Sequence, residues 1–379
     1  MPPMVSTGPE SLSARLLQRV GAAIQDAGGW LPFDRFMALA LYEPGLGYYA
    51  NGLRVFGHMP SLGSDFVTAP ELSPLFGRTL ARQVAQALQA AQADELFEFG
   101  AGSGALAAQL LQALDGLGQP VRRYSIVDLS GTLRERQAQA LAAWGDRVQW
   151  LSELPPQLHG VVVGNEVLDA MPVQLLHWSG TQWFERGVAW HQEALAWADR
   201  PTELRPPAPG PFVPGTVTEI HPQAEAFVRT LADRLVRGAA FFVDYGFPES
   251  EYYHLQRHGG TLMCHRAHQA DTNPLVQLGL KDITAHVNFS AVALAAQDAG
   301  LDVLGYTSQG RFLLNCGITD ALQGADLRTV AHAQKLLAEH EMGELFKVLA
   351  LGRGFTLDVA AGGEAGLMGF TAGDRMHTL

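Results

Sequence analysis

Residues 97–106 read FEFGAGSGAL, and this stretch decides the fold. An apolar run typical of a buried strand passes directly into glycines at positions 100, 102 and 104, and an Ala- and Leu-rich helical segment follows. Glycine lets the chain turn sharply, and the first N–H groups of a helix have no partner within the helix. The stretch therefore predicts a turn whose bare backbone lies against a ligand.

The spacing of the glycines favours one kind of cofactor. GxGxG differs from the GxGxxG of dinucleotide-binding folds, and Glu98 stands two residues before the first glycine, as expected for S-adenosylmethionine. Asp128 ends the next predicted strand, roughly 20–25 residues beyond the glycines, where a carboxylate can accept the ribose hydroxyls. We therefore predict Glu98, Gly100, Gly102, Gly104 and Asp128 as cofactor residues. A dehydrogenase site and a merely tight turn are the alternatives.

A third motif follows a fully apolar predicted strand. Residues 161–173 read VVVGNEVLDAMPV, so Asn165, Glu166 and Asp169 come directly after the strand. Ligands and catalytic groups collect at the carboxyl ends of the strands of an open α/β sheet. Helix capping by Asn165 and Asp169 is the structural alternative.

Strands and helices alternate along most of the chain, which predicts a parallel sheet covered on both faces. The predicted strands lie near 96–99, 124–128, 147–151, 161–165, 238–246, 302–306 and 345–351. The predicted helices are two within 9–41 and others at 74–91, 103–114, 130–143, 222–236 and 289–299. A Trp-rich meander is predicted at 174–198, and a His-rich loop at 251–288.

Composition argues against several classes of protein. The chain has 379 residues, two cysteines and a net charge of −12, which disfavour a disulfide framework, a thiolate metal site and a nucleic-acid partner. The histidines between 254 and 268 lack the spacing of a tetrahedral zinc site. No run approaches the ~18–20 apolar residues that span a bilayer, and residues 1–9 do not resemble a secretion signal. We therefore expect a cytosolic protein without metal or membrane insertion.

Seven ordered blocks of the sequence match one family of enzymes. They are GYY at 47–49, GSDFVTAPELSPLFG at 63–77, FEFGAGSGAL, GNEVLDAMPV, VDYG at 243–246, DITAHVNFS at 282–290 and TSQGRFLL at 307–314. Together they resemble the MidA family of class I S-adenosylmethionine-dependent methyltransferases, which includes the mitochondrial factor for complex I assembly. Two positions depart from the family: IVDLS stands where Pro or Glu is frequent, and HVNF, with Asn288, stands where HVDF is common.

The resemblance implies an α/β fold, a Rossmann-like class I methyltransferase sheet with an N-terminal helical extension and inserted β/loop segments. The implied division is an extension and lid loop at 1–92, a core at 93–354 with insertions at 174–215 and 247–288, and a tail at 355–379. The block around the lid adds Thr68 and Pro70 to the expected cofactor residues. Tyr48, Tyr49 and Phe66 are expected to exclude water from the site when the lid closes. A static, packed loop is the alternative.

For the mitochondrial relatives the resemblance implies methylation of a protein arginine, so we expect an S-adenosylmethionine-dependent arginine methyltransferase. Methyl transfer depends mainly on alignment, and carboxylates are needed to hold a planar guanidinium. We predict Glu166 and Glu71 as the main catalytic residues and Asp169 and Asn165 as further ones. Asp244, after a later strand, is an additional candidate. For Glu71 the alternative is a charge that favours the start of a helix.

A different class of function is also compatible with the sequence. The protein would then be an assembly factor that keeps the cofactor-binding fold and holds a partner through its N-terminal helices and Trp-rich insertion. The expected partner in either case is a protein, and a respiratory complex subunit is one candidate. A homodimer is one candidate assembly.

Overall fold

The computed structural model describes residues 9–52, 68–128, 131–355 and 366–379. Its helices are α1 (Pro9–Asp26), α2 (Phe33–Tyr42), α3 (Ala69–Leu72), α4 (Pro74–Ala91), α5 (Ala105–Gly116), α6 (Gly131–Ala140), α7 (Pro222–Arg234), α8 (Glu249–Tyr252), α9 (Phe289–Asp298), α10 (Gln309–Asn315), α11 (Ile318–Ala321), α12 (Leu327–Leu337) and α13 (Met342–Leu345). Its strands are β1 (Leu31–Pro32), β2 (Glu95–Phe99), β3 (Arg123–Val127), β4 (Val148–Leu151), β5 (Leu158–Asn165), β6 (Gln174–Trp178), β7 (Trp183–His191), β8 (Ala194–Pro201), β9 (Val217–Ile220), β10 (Leu235–Phe247), β11 (Met263–Arg266), β12 (Gln269–Asp271), β13 (Asp282–Thr284), β14 (Val287–Asn288), β15 (Asp302–Ser308) and β16 (Phe346–Arg353).

The largest sheet lies in a unit that comprises the described residues of Val67–Asp169, Ala224–Glu249 and Val287–Leu379. Seven of its strands form one row in the order β15-β16-β10-β5-β2-β3-β4, and β14 pairs with the end of β10. Neighbours in the row are parallel except at β16, which runs antiparallel to β10 and β15. This arrangement confirms the expected Rossmann-like class I methyltransferase sheet.

The centre of this sheet is apolar on both faces. The side chains of 161–163 on β5 and of Phe241 and Phe242 on β10 are buried, as expected for parallel strands covered by helices. Phe99 on β2 pairs with Gly164 on β5, and Val243 on β10 pairs with Asn165. The carboxyl ends of β2, β5 and β10 therefore meet at one edge, where the polar motifs of the sequence emerge.

A second unit contains the described residues of Met1–Phe66, Ala170–Gln223 and Ser250–His286. It holds a sheet in the order β1-β7-β6-β9, with β8 paired to β7, and a three-stranded sheet in the order β12-β11-β13. The Trp-rich meander is therefore confirmed. The expectation of a loop over 251–288 is wrong for β11, β12 and β13, because strands of three or four residues are too short to show a period-two pattern.

The long amphipathic helices agree with the sequence, and several short ones do not appear in the sequence-based expectation. Helix α4 has the bounds predicted for it, and the Ser73 hydroxyl caps it by accepting a hydrogen bond from Leu75 N at 3.3 Å. Helices α10 to α13 were not predicted. For α12 a signal existed, since Asp326 accepts from Thr329 N at 2.7 Å and Asp is a preferred N-cap residue.

The expected lid falls only partly on residues that the structure describes. Residues 53–67, including Phe66, lie outside them. Tyr48 is buried, and the Tyr49 hydroxyl donates to the Asp282 carboxylate at 2.9 Å, so both tyrosines are packed within their unit. Among the described helices, none combines the length and the apolar character needed to cross a membrane.

The contact between α4 and α5 requires a glycine, which gives a stability prediction. A Cβ atom on Gly77 would come within 2.5 Å of the Gln109 Cβ. Gly77→Ala therefore pushes the two helices apart, and we expect it to lower the free energy of unfolding by about 1–3 kcal/mol. Urea denaturation measures this effect.

The matched control is Gly116→Ala at the end of α5, where no atom lies within 4 Å of an added Cβ. Equal stability of the two variants would contradict the close packing of α4 on α5.

Candidate active site

The turn between β2 and α5 has the conformation that its glycines suggest. The φ angles of Gly100, Gly102 and Gly104 are 64°, 53° and 86°, a left-handed region that other residues rarely adopt. Gly100 N donates to Val127 O at 3.1 Å, and a Cβ on Gly100 would lie 3.1 Å from Val167 Cγ2. The turn is thus a bare-backbone cradle at the N-terminus of α5, which fits the S-adenosylmethionine that the sequence predicts.

Glu98 lies on β2, just before this turn, and is only 2% exposed. The Tyr124 hydroxyl donates to Glu98 Oε2 at 2.7 Å. Burial raises the pKa of Glu98 to about 8; the Tyr124 hydrogen bond lowers this pKa, and the charge of Asp128 raises it. At pH 7 this carboxyl group is therefore mostly protonated. Its role as a cofactor residue stays a prediction.

Asp128 follows β3 and is brought to the glycine turn by one amide side chain. Gln137 Nε2 on α6 donates to Asp128 Oδ2 at 2.8 Å and to Gly102 O at 3.1 Å. Trp150 Nε1 on β4 donates to Gln137 Oε1 at 2.8 Å. The predicted ribose carboxylate and the predicted glycine turn therefore belong to one hydrogen-bonded group.

The short helix α3 also contacts the glycine turn. Ser103, between two of the glycines, donates through Oγ to Glu71 Oε1, and Gln109 Nε2 on α5 donates to Pro70 O at 2.8 Å. Thr68 precedes the helix as its N-cap residue. Three of the predicted residues are thus close together along α3, and the hydrogen bond of Glu71 ties it to the turn expected to hold the cofactor.

Asn165 is the last residue of β5, and Glu166 begins the turn that follows. Glu166 has φ 53°, which costs a non-glycine residue about 1–3 kcal/mol, and its N–H donates to Val243 O at 2.9 Å. Asn165 Nδ2 donates to Glu166 Oε1 at 2.9 Å and so orients the carboxylate. Asn165 Oδ1 is buried and has no hydrogen-bond partner within the part of the chain that the structure describes. No helix begins here, so the capping alternative does not apply.

Asp244 at the end of β10 holds this turn in place. Its Oδ2 accepts from the backbone N–H groups of 167, 168 and 169, at 3.1, 2.9 and 3.2 Å. The Tyr245 hydroxyl donates to Asp169 Oδ2. Burial, and then the negative charges of Asp169 and Glu166, raise the pKa of Asp244, while its backbone hydrogen bonds lower it. The carboxyl groups of Asp169 and Glu166 therefore both lie close enough to Asp244 to repel its negative charge.

Comparison with known proteins decides what kind of enzyme this site belongs to. Residues 79–307 match the profile of a family described as "Putative S-adenosyl-L-methionine-dependent methyltransferase". The chain belongs to this family. A solved structure from Burkholderia thailandensis, bound to S-adenosyl-homocysteine, is 51% identical, with a TM-score of 0.93 and 100% of both chains covered. The methyltransferase depends on S-adenosylmethionine, which confirms the resemblance to the MidA family and rules out the dehydrogenase alternative.

Curated relatives of the methyltransferase are more distant. A Drosophila melanogaster protein is 27% identical over 92% of this chain and 87% of its own, and a Mus musculus protein is 27% identical over 85% and 81%. They are named Protein arginine methyltransferase NDUFAF7 homolog, mitochondrial, and Protein arginine methyltransferase NDUFAF7, mitochondrial. These names contradict the expectation of a cytosolic protein, which rested on a missing apolar stretch that carries no information about compartment.

Several side chains of the site were not found by sequence analysis. Gln137, Ser103 and Tyr245 make the hydrogen bonds that connect the predicted residues. For Gln137 a signal existed, because it lies four residues after Leu133 and four before Leu141 in the helix predicted at 130–143, on an apolar face where an amide is out of place. The other two have no local signal, since their partners are distant in sequence.

Asn288 and one residue of the His-rich segment each accept a hydrogen bond from a nearby backbone N–H. Asn288, the departure from the family pattern, caps α9 by accepting from Ala291 N at 3.2 Å. His254 in the His-rich segment accepts from Gln256 N at 3.3 Å. Among the described residues, no group of three or more His, Cys, Asp or Glu side chains is arranged to hold a metal ion.

The environment of Glu98 gives a prediction on pH. Between pH 4.5, the usual pKa of this group, and about 8, the unfolded chain ionises Glu98 while the folded chain keeps it protonated. Stability is therefore lost as the pH rises through this window, by at most about 1.4 kcal/mol per unit. Glu98→Gln removes this loss, so we expect the variant to gain stability relative to the wild type from pH 5 to pH 8.

Denaturation at pH 5, 6.5 and 8 measures the difference, with Glu153→Gln, at an exposed position, as the control. A difference between Glu98→Gln and the wild type that stays constant over this range would contradict the protonated state of Glu98.

Proposed function

We propose that the protein methylates an arginine side chain of a protein substrate. The observation that carries the proposal is the contact between two turns at one sheet edge: Val167 of the turn that bears Glu166 lies against Gly100. A methyl acceptor held by the first turn is then next to a cofactor held by the second. The names of the curated relatives from fly and mouse support arginine as the acceptor.

The cofactor side of the site uses backbone more than side chains. S-adenosylmethionine, when bound, supplies a methyl group carried on a positively charged sulfur. The bare main chain from Gly100 to Gly104 allows close approach, and Asp128 is suited to accept the ribose hydroxyl hydrogens. Thr68 and Pro70 complete this side, because α3 is hydrogen-bonded to the same turn. Glu71, predicted from the sequence as a catalytic residue, is assigned to the cofactor side instead, because it accepts a hydrogen bond from Ser103 of that turn.

The acceptor side is suited to a cation with several N–H donors. A guanidinium group stays charged at any pH that the protein meets, and it pairs with carboxylates in a bidentate geometry. Glu166 and Asp169 supply carboxylates, and the buried Asn165 Oδ1 supplies a neutral acceptor. A bound cation also relieves the repulsion that Glu166 and Asp169 exert on Asp244.

The protein acts mainly by alignment. Positioning supplies as much as ~7–11 kcal/mol in well-oriented systems, whereas a general base contributes roughly 10²–10⁴ in rate. Glu166 holds the guanidinium plane and takes the proton that the nitrogen loses as it becomes methylated. Asn165 and Asp244 keep Glu166 in place, one through its side chain and the other through the turn.

The proposal is tested with S-adenosylmethionine and candidate protein substrates, respiratory complex subunits among them. Tandem mass spectrometry should find a methyl group on an arginine side chain. A methyl group found only on lysine, on a carboxyl group or on a small molecule would overturn the arginine assignment. A partner that binds tightly and is never methylated would favour the partner-holding alternative.

The assignment of Asp128 predicts a loss of cofactor affinity. Asp128→Ala removes a charged hydrogen-bond acceptor for the ribose, so S-adenosylhomocysteine should bind more weakly by about 1–3 kcal/mol. Isothermal titration measures this, with Asp146→Ala, at an exposed position, as the control. Titrations that are identical for wild type and Asp128→Ala would refute the role.

The assignment of Glu166 predicts a loss of transfer without a loss of binding. Glu166→Gln keeps the size of the side chain and an acceptor oxygen, so folding and cofactor affinity should be retained. Methyl transfer should fall by at least about 100-fold, because the carboxylate neither pairs with the guanidinium nor takes the proton. Rates are compared with Glu135→Gln, which lies on the exposed side of α6. Wild-type turnover in Glu166→Gln would remove Glu166 from the mechanism.

A further inference from the structure

Gln137 is a fully buried amide to which the proposed mechanism assigns no role. It is 0% exposed, and both polar atoms of its side chain, Nε2 and Oε1, form hydrogen bonds. Nε2 donates to Asp128 Oδ2 at 2.8 Å and to Gly102 O at 3.1 Å, and Oε1 accepts from Trp150 Nε1 at 2.8 Å. The amide therefore joins the end of β3, the glycine turn after β2 and strand β4.

The orientation of the Gln137 amide follows from the chemistry of its partners. An indole N–H can only donate, so the atom that faces Trp150 must be the amide oxygen. The two N–H groups then face a carboxylate and a backbone carbonyl, which can only accept. With the amide reversed, all three contacts would be lost.

The surroundings of Gln137 restrict its movement. A Cβ on Gly104 would lie 3.4 Å from Gln137 Cα, so α6 packs closely against the glycine turn. The Arg134 guanidinium, also on α6, lies 5.4 Å from the centre of the Trp150 ring, so the helix contacts the indole at a second point. The amide is therefore fixed from both the helix and the strand.

We propose that Gln137 is a positioning residue for the ribose part of the cofactor site. Its amide holds the Asp128 carboxylate at a fixed separation from the Gly102 carbonyl, so that the carboxylate meets the ribose hydroxyls without rearranging. Groups held in the bound geometry before the ligand arrives cost less to order on binding. The proposal rests on the ribose role of Asp128 and is independent of the methyl acceptor.

The test compares two substitutions and two ligands. Gln137→Met keeps the length of the side chain without its hydrogen bonds, and Gln137→Glu turns a donor into a second carboxylate beside Asp128. The ligands are S-adenosylhomocysteine and its 2′,3′-dideoxy analogue, which lacks the hydroxyls that Asp128 would accept. Isothermal titration gives their affinities, and circular dichroism with thermal unfolding verifies the fold.

We expect a graded and ribose-dependent loss. Gln137→Glu should weaken the binding of S-adenosylhomocysteine by about 10-fold or more, because the new carboxylate repels Asp128. Gln137→Met should weaken it by about 3-fold to 10-fold, because this variant only loses the hydrogen bonds. The dideoxy analogue should change by less than about twofold in both. Trp150→Phe frees the amide to reverse and should weaken S-adenosylhomocysteine in the same direction.

The matched control is Gln149→Met on β4. The Gln149 amide donates to Ser125 Oγ at 2.8 Å and has no hydrogen bond to Asp128 or the glycine turn. Its removal should leave the affinity for S-adenosylhomocysteine within about twofold of the wild type.

Three results would overturn the proposal. The first is a folded Gln137→Glu that binds S-adenosylhomocysteine as the wild type does; if that variant does not fold, Gln137→Met decides in its place. The second is an equal loss for both ligands, which indicates general damage to the fold. The third is a wild type that binds both ligands equally, which removes the ribose role of Asp128 as well. The first two results leave the ribose preference of the wild type intact, so they defeat this proposal without removing the ribose role of Asp128.

Discussion

The proposed cofactor site depends on one constraint, the left-handed backbone at three alternate positions between β2 and α5. Gly100, Gly102 and Gly104 all have positive φ angles, and a side chain at any of them would strain the turn. The turn lies where β2 ends between β3 and β5, so a ligand on its backbone is also next to the ends of those strands. The rest of the site is arranged around this bare segment of main chain.

The sequence predicted the parts of the site that are local in the chain. The glycine turn, the acidic residue after β3 and the polar turn after β5 each follow an apolar strand, and the carboxyl ends of parallel strands share an edge. The alternation of strands and helices predicted the sheet in which these turns lie. The seven ordered blocks identified the family, because a single glycine motif is not specific enough to do so.

Other features depend on contacts between distant residues, and no local pattern reports them. Ser103 reaches Glu71 across 32 positions, and Tyr245 reaches Asp169 across 76. Strand β11 pairs with β12 on one side and with β13 on the other, although each of the three is too short to show alternation. Gln137 is an intermediate case, because its place on an apolar stripe was visible while its three partners were not.

The acidic residues near this edge differ in what each already binds, and this decides how each can act. Glu98 is buried beside Tyr124 and keeps its proton, so it adds little negative charge. Both carboxylate oxygens of Asp244 accept hydrogen bonds from backbone N–H groups, and they stabilise the turn after β5. Asp128 is held by an amide, and Glu166 is held in a strained conformation by Val243 and Asn165. The strained backbone of Glu166 is tolerated because strands β5 and β10 hold it in place. This strain supports the proposal that Glu166, before any other carboxylate, holds the methyl acceptor.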